Sequence, residues 1–401
     1  MTKNFEYKNT ESLKKTAIEI IKPEKCTGCF GCYNACPFNA IDMKIDKDGF
    51  FIPFINQRCN NCGNCQDFCP VISKNKNDTE QKFQVPTFYA GWSNNDNIRL
   101  KSSSGGIFPE LAKYMLKNEN VVFGVGWDDN FSLCHMKIIE EKDLPKLMGS
   151  KYLQSNVGDS FKKVLSELKK GKKVIFTGTP CQIAALTMFT DHPNLLTIDL
   201  ICHGIPSKKV FEKYIDQMKK NGKVVNMFFR EKKWGWSNYN LKLNFDDGSN
   251  YEKIHKLDPF FVGYLQNLYL QRSCYCCPFN RIPRESDITL GDFWGAPLNI
   301  RDNKGVSIIL LNTIKGKKYI DNLVRENKIT VEKIDYETAT RDNSRIINGV
   351  YTIPLQRKTL LEDIDYHDFN YIRNTYIKIP HPIKIYTKAF IKNLLTKMWM
   401  H

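Results

Sequence analysis

The chain has 401 residues, 42% of them hydrophobic and 25% charged, with a formal net charge of +16. That balance excludes a disordered or fibrous chain and leaves room for two or three domains with sizeable cores. The lysine-rich surface suits acidic partners, yet a solvated basic face without a partner accounts for it equally well, and no nucleic-acid partner is expected.

In chain order, the first fifteen residues, MTKNFEYKNTESLKK, are polar and lack the apolar centre of a signal peptide. No later stretch is apolar for long enough to span a bilayer. A cytoplasmic protein is expected. In that reducing setting fourteen cysteines point to metal or redox chemistry rather than to structural disulfides.

Two runs then follow the same pattern, C-x2-C-x2-C-x3-C-P. One is CTGCFGCYNACP at 26–37, the other CNNCGNCQDFCP at 59–70, a repeat offset by 33 residues. The spacing suits cubane iron–sulfur clusters. Three thiolates in a tight loop hold three iron corners, and the fourth, on a following helical turn, ligates the other cluster. The expected sets are Cys26, Cys29, Cys32 and Cys69 on one [4Fe–4S] cluster and Cys59, Cys62, Cys65 and Cys36 on the second. Zinc ribbons use two CxxC pairs and need neither the third cysteine nor the Cys-Pro ending. Thr27, Gly28, Gly31 and Gly63 leave room for backbone N–H groups to approach sulfur.

Residues 73–84, SKNKNDTEQKFQ, read as a linker. Beyond them strands and helices alternate. NVVFGVGW (120–127), VIFTGTP (174–180) and LLTIDLICHG (195–204) read as buried strands, and FKKVLSELKKGKK (161–173) as a helix stopped by Gly171. CQIAALTMF reads as a helix after the turn. YNLKLNFDDGSNYEKI (239–254) reads as a hairpin about Asp247-Gly248, and SDITLGDFWG and GVSIILLNTIKGKKYIDNL add two strands and a helix. The expected fold class is an α+β ferredoxin-like dicluster domain followed by an α/β domain with a mostly parallel or mixed sheet. No GxGxxG, Walker A, GxSxG or HExxH sequence is present.

LKSSSGGIFPELAKYML (100–116) is a Ser/Gly loop entering an amphipathic helix, with Ser104 as N-cap and Ile107, Leu111 and Met115 on one face. Such a loop can seat a phosphate, though an ordinary capped helix after a flexible loop is the simpler account of this stretch alone. MGSKYLQS (148–155) and TGTPCQ (177–182) are weaker ligand signals of the same kind, the latter at a strand end.

Six stretches, SSSGGIFPELAKYML, GSKYLQS, VIFTGTPCQIAAL, IDLICHGIPS, SCYCCPF and SDITLGDFWG, occur in this order. In that set the chain resembles the coenzyme F420 hydrogenase/dehydrogenase beta-subunit family, many members of which carry an N-terminal dicluster ferredoxin domain. The resemblance implies an iron–sulfur flavoprotein that binds FAD, the archaeal members passing electrons between FAD and the deazaflavin coenzyme. Carried onto this chain, it implies a FAD seat at Ser103, Ser104, Gly105 and Gly106, with Lys151, Thr177, Gly178 and Thr179 nearby. It also implies, for some members, a further [4Fe–4S] cluster near the flavin. Here the candidate ligands are Cys181, Cys202, Cys274 and Cys277, with Cys276 spare. The same four thiols would also serve a zinc site, or be apolar packing. His203 is read as a capped loop histidine, Cys134 as packing, and Asp292 at least as well as a turn residue as a general acid.

The expected domains are 1–75 (ferredoxin), 76–86 (linker), 87–345 (FAD-binding) and 346–401, a basic extension. The end of that extension, IKIPHPIKIYTKAFIKNLLTKMWMH, has no acidic residue and reads as a basic amphipathic helix, covering the protein's own core or touching an anionic membrane or a partner. The expected function is an iron–sulfur, flavin-dependent oxidoreductase exchanging electrons with a ferredoxin-type donor or acceptor and with an organic substrate or deazaflavin. The alternative is a non-catalytic subunit that supplies a partner enzyme.

Overall fold

The computed structural model describes residues 14–73, 82–218 and 222–387. Its first unit is the ferredoxin-like region. Each cysteine loop runs into a short helix, Gly31–Ala35 or Asn64–Asp67, and the hairpin of β1 (Ile41–Ile45) and β2 (Phe51–Ile55) lies between them. The two helices start from left-handed residues, Phe30 and Gly63. Such a start turns the chain sharply, so the cysteines before and inside each helix stay close together.

The remaining strands are β3 (Lys82–Ser93), β4 (Val121–Trp127), β5 (Leu133–Ile138), β6 (Val174–Thr177), β7 (Leu195–Leu200), β8 (Val224–Glu231), β9 (Asn240–Phe245), β10 (Asn250–Ile254), β11 (Ile288–Asp292), β12 (Ser307–Thr313) and β13 (Ile329–Ile334). Eight of them form one mixed sheet in the order β13-β3-β12-β11-β7-β6-β4-β5. Only β4, β6, β7 and β11 run parallel; β5 and the β12, β3, β13 side pair antiparallel. The parallel character expected from the βα alternation therefore holds for the sheet centre alone. The difference comes from β3, whose twelve residues begin within the segment expected as linker. The rest of that linker, 74–81, lies outside the described residues.

The central strands are apolar throughout because both faces are covered. Val121, Phe123, Val174 and Phe176 pack with Phe161, Val164 and Leu168 of the helix Ser160–Lys169 and with Ile183 and Leu186. The intervening Val122 and Ile175 pack on the other face with Ile107, Leu111 and Met115 of the helix Ile107–Leu116 and with Ile320 and Leu323. The alternation is the strand period of two.

A second sheet, β10-β9-β8, has an aromatic core of its own, including Tyr214, Phe260, Phe261 and Tyr269. Leu360, Leu361, Ile364, Phe369, Ile372 and Ile377 are buried in this core. The chain from 346 to 377 is therefore an integral part of the second domain, not an extension. Its apolar residues fall in two short helices, Arg357–Asp363 and Phe369–Tyr376, that complete the core. Ile385 packs near Ile254 and Leu257, whereas the part of the expected basic helix beyond residue 387 lies outside the described residues. No helix among the described residues is long and apolar enough to cross a membrane.

Candidate functional site

The ferredoxin cysteines fall into two groups. Burial pushes the Cys26 thiol up to about 11 and the Cys29 thiol up to about 12, and repulsion from Cys69 adds to both. Cys32 is raised well above its ordinary value, first by burial and then by Cys29, Cys26 and Cys69. Cys65 is pushed up to about 11 by burial, with Cys62, Cys36 and Cys59 acting on it. Cys69 thus lies near Cys26, Cys29 and Cys32, and Cys36 near Cys65, while Cys65 also acts on Cys32 from the other group. Such buried thiols stay protonated unless a cation holds them, which is the property of a metal site.

The surroundings fit a cluster. A cavity of about 90 Å³ is lined by Cys26, Cys29, Cys32 and Cys69 with apolar Ile18, Ile21, Met43 and Ile52 around them. Backbone N–H groups point at sulfur: Gly28 at Cys26, Gly31 at Cys29, Ala17 at Cys65 (3.1 Å) and Ala40 at Cys36 (3.2 Å). No three His, Cys, Asp or Glu side chains among the described residues close around a single metal ion.

This unit is pinned to the large sheet. Asn34 Nδ2 donates to the Gly158 carbonyl (2.9 Å), the Phe51 N–H to Gln154 Oε1 (2.8 Å), Gln271 Nε2 to the Cys26 carbonyl (3.1 Å) and Ser207 Oγ to the Asp48 carbonyl (2.6 Å). Cys29 and Phe30 share a core with Ile183 and Ala185 of the helix Pro180–Thr187. That helix carries Cys181 in its first turn.

Cys181 marks a third group of thiols. Its own is raised well above the ordinary value by burial, then by Cys277, Cys29 and Cys202. Cys202, just past β7, is pushed up to about 11 by burial and Cys277. Cys274, in the turn Arg272–Tyr275, is raised by burial, Cys202 and Cys277. Four thiols from three separate parts of the chain thus meet, with Cys29 of the first group next in line. Cys276 is exposed and points elsewhere. Cys134 sits opposite Gly126 in the β4–β5 pairing, outside all three groups.

Next to this group lies a cavity of about 260 Å³ at the carboxyl ends of β6, β7 and β11. This is where an α/β sheet presents its ligand sites. Of the residues expected at a cofactor seat, Ser103, Ser104, Gly106, Lys151, Thr177 and Thr179 line it, and Gly105 and Gly178 do not. Gly105 serves packing instead: its N–H donates to Ser307 Oγ, and a Cβ there would sit 2.3 Å from the Gly91 carbonyl. Gly178 is held by its N–H to the Ile198 carbonyl. Nor is Ser104 the N-cap. Gly106 occupies that position in a left-handed conformation (φ 85°), and Ser104 Oγ donates to the Val306 carbonyl.

Lys151 Nζ donates to the carbonyls of Met148 (2.9 Å) and Gly149 (3.2 Å), and burial lowers its pKa to about 7. Asp292 lines the cavity but is engaged by Arg230 and by Trp236 Nε1 (2.6 Å), which makes it a structural aspartate. Cys202 and His203 also line it, so the third thiol group and the cavity share a wall. His203 is not the capped loop residue expected. Its Nδ1 lies 3.1 Å from Tyr351 Oη, its ring packs on Tyr264, and burial together with Arg345 lowers its pKa to about 4. Arg345 carries no motif and was not legible in the sequence, and Gln154 lies in the GSKYLQS stretch with no signal of its contact to the first cysteine loop.

Residues 171–337 match the family described as the C-terminal part of the coenzyme F420 hydrogenase/dehydrogenase beta subunit, and residues 25–72 match the 4Fe-4S dicluster domain. A subunit of the F(420)H(2) dehydrogenase of Methanosarcina mazei is 23% identical over 337 residues, covering 78% of this chain and 86% of that protein. An uncharacterized protein of Methanocaldococcus jannaschii is 23% identical over 372 residues, covering 82% and 96%. A chain of the F420-reducing [NiFe] hydrogenase complex from Methanosarcina barkeri is 18% identical with a TM-score of 0.49, covering 75% of this chain and 98% of that one. Residues 171–337 are thus similar to the C-terminal part of coenzyme F420 hydrogenase/dehydrogenase beta subunits, and with its 4Fe-4S dicluster domain at 25–72 the chain is an iron–sulfur electron-transfer protein related to those subunits.

Proposed function

We propose that the chain moves single electrons between a ferredoxin-type partner or partner subunit and an organic substrate through a line of three iron–sulfur sites and FAD. The line runs from Cys36, Cys59, Cys62 and Cys65, through Cys26, Cys29, Cys32 and Cys69, to Cys181, Cys202, Cys274 and Cys277. The observation that carries the reading is the position of the third group: Cys181 is felt by Cys29, and Cys202 lines the cavity. Cys59 and Cys62 lie at the end of the line away from the cavity, which is where a partner would meet the chain.

The cavity residues suit a phosphate-bearing flavin. Lys151 is half-buried and its Nζ meets only carbonyls, and a phosphate is the natural counter-charge of its ammonium. Ser103, Ser104 and Thr179 add hydroxyls, and Leu147, Leu200, Ile201 and Leu290 offer apolar wall to a flat ring. At about 260 Å³ the cavity lies below the roughly 300–1,000 Å³ of typical small-molecule sites, so a dinucleotide would enter it only in part. FAD held there would supply the exchange between one-electron and two-electron chemistry that most organic reductions need. Deazaflavin is the organic partner we favour, from the name of the Methanosarcina mazei relative. Delivery to a partner subunit is the second reading, favoured because that relative is named as one subunit of a dehydrogenase.

Anaerobic purification with iron, sulfide and flavin measured together tests this. About twelve irons and one flavin per chain are expected; about eight irons, or no flavin even after FAD is added, would refute the corresponding part.

Lys151 adds a pH dependence. Its pKa in the free protein is near 7, and a bound phosphate raises it. Below pH 7 the ammonium is already present; above it, binding must take up a proton. FAD affinity is therefore expected to fall by up to about tenfold per pH unit between pH 7 and 9. His203, lowered to about 4, is neutral across this range and does not produce that slope. Fluorescence titration of FAD against wild type and Lys151→Met checks it: the variant should bind more weakly at pH 6 and show no such slope.

A further inference from the structure

Five arginines are buried among the described residues: Arg99, Arg230, Arg284, Arg345 and Arg357. Four have a carboxylate, Asp302, Asp292, Asp199 and Asp48 respectively. Arg345 has no carboxylate partner among the described residues. Its Nε donates to the Cys202 carbonyl (3.2 Å), and its Nη2 to the carbonyls of His203 (3.3 Å) and Cys274 (3.3 Å). Its Nη1 reaches the Asn348 carbonyl (3.5 Å), and its guanidinium lies over the Tyr351 ring, 4.0 Å from the centroid. Every hydrogen-bond acceptor is a neutral carbonyl, and two belong to cysteines of the third group. A buried guanidinium is always charged, and burying it without an anion is unfavourable. The surrounding sulfurs are the available anion.

We infer that Arg345 is the built-in counter-charge of the Cys181, Cys202, Cys274 and Cys277 site and holds that site's reduction potential above those of the dicluster domain. The inference rests on the reading of these four cysteines as cluster ligands. Each one-electron reduction, with the electron supplied by the dicluster domain, adds negative charge without making or breaking a bond. A fixed cation in a low-dielectric surrounding stabilises the reduced form more than the oxidised one. Arg345 already favours the thiolates of Cys202 and Cys274. Among the described residues no cation is a leading influence on Cys26, Cys29, Cys32, Cys65 or Cys69, and Asp46 acts on Cys26 in the opposite sense. Electrons taken up by the dicluster domain would then collect at the site beside the cavity. Arg284 also favours the Cys202 thiolate, but less than Arg345 does, because Asp199 at 2.8 Å offsets its charge.

Redox titration of the anaerobically purified full chain, followed by electron paramagnetic resonance, tests the inference. Arg345→Gln should weaken reduction of the third site by about tenfold or more, equivalent to a potential lowered by about 59 mV. Arg345→Lys, which keeps the charge, should stay within a few-fold of wild type. Asn348→Asp keeps the acceptor that Asn348 Oδ1 offers to the Val350 N–H and adds a negative charge to the residue whose main-chain carbonyl meets Arg345 Nη1; it should shift the potential in the same direction as Arg345→Gln, by less. Unchanged potentials in both Arg345→Gln and Asn348→Asp, at an unchanged iron count, would overturn the inference while leaving the third cluster standing. If Arg345→Gln loses iron, Asn348→Asp alone decides. A wild-type chain with only about eight irons would remove the site and the inference together.

Discussion

Replacing Cys274 and Cys277 by serine is expected to lower the iron content of anaerobically purified protein from about twelve to about eight per chain, leaving the dicluster signals intact. The two thiols are presented by a turn that the backbone itself holds. The Cys274 N–H donates to the Gln271 carbonyl (2.9 Å) and the Cys277 N–H to the Gly349 carbonyl (3.0 Å). Tyr275 Oη donates to the Asn267 carbonyl. None of these bonds uses sulfur, so serine leaves the turn in place and removes only soft ligands. The dicluster domain draws on none of these thiols, and its own eight cysteines are untouched. Cys276→Ser is the control: that residue is exposed and should leave the iron count unchanged. An unchanged count in the double variant would sink the assignment of the third site. Electron delivery to the cavity should also be lost, because Cys202 alone cannot hold a cluster between Cys29 and the cavity wall.

The second large effect is expected at the seam between the two domains. Gly28 has φ +59°, and a Cβ on it would sit 2.3 Å from the Phe51 carbonyl oxygen and 2.4 Å from Gln154 Nε2. Its carbonyl and the Phe51 N–H both meet the Gln154 side chain, and its own N–H points at Cys26 sulfur. Gly28→Ala therefore combines backbone strain with a clash against backbone, and relief of that clash moves the first cysteine loop. The expected result is loss of about four irons and separation of the dicluster domain from the sheet, seen as new proteolytic cleavage between them. Gly171→Ala separates the two causes. Gly171 has φ +80° with nothing within 4 Å of a Cβ, so only the left-handed conformation is penalised, by roughly 1–2 kcal/mol. That control should lower the melting temperature by a few degrees and keep all of its iron. Equal behaviour of the two variants would show that the seam is not what holds the first cysteine loop.

Much of the fold was legible because its signals are local. The buried strands β4, β6 and β7 read as apolar runs, and the β9–β10 hairpin was marked by Asp247-Gly248. Elements without a local signal were misplaced. β3 starts inside a polar stretch and becomes a strand because β12 and β13 flank it. The helices at 357–376 looked like a tail because their apolar residues are few. They are buried because the aromatic core around Tyr214 and Phe260 lacks a cover without them. Gly105 resembled a phosphate loop, yet its missing side chain makes room for the Gly91 carbonyl and the Ser307 N–H.

The sequence by itself marked the eight dicluster cysteines, since three of each expected set lie within seven residues and the fourth of each set is expected from the end of the other run. Chain geometry over so short a span leaves little freedom. Only the tertiary structure decided that Cys181, Cys202, Cys274 and Cys277 meet, that Arg345 stands among them without a carboxylate, and that the cavity shares their wall. Those residues arrive from a helix start, the end of β7 and two distant turns. Their meeting depends on strand order, which sets which carboxyl ends lie side by side and is written in no single segment of the chain.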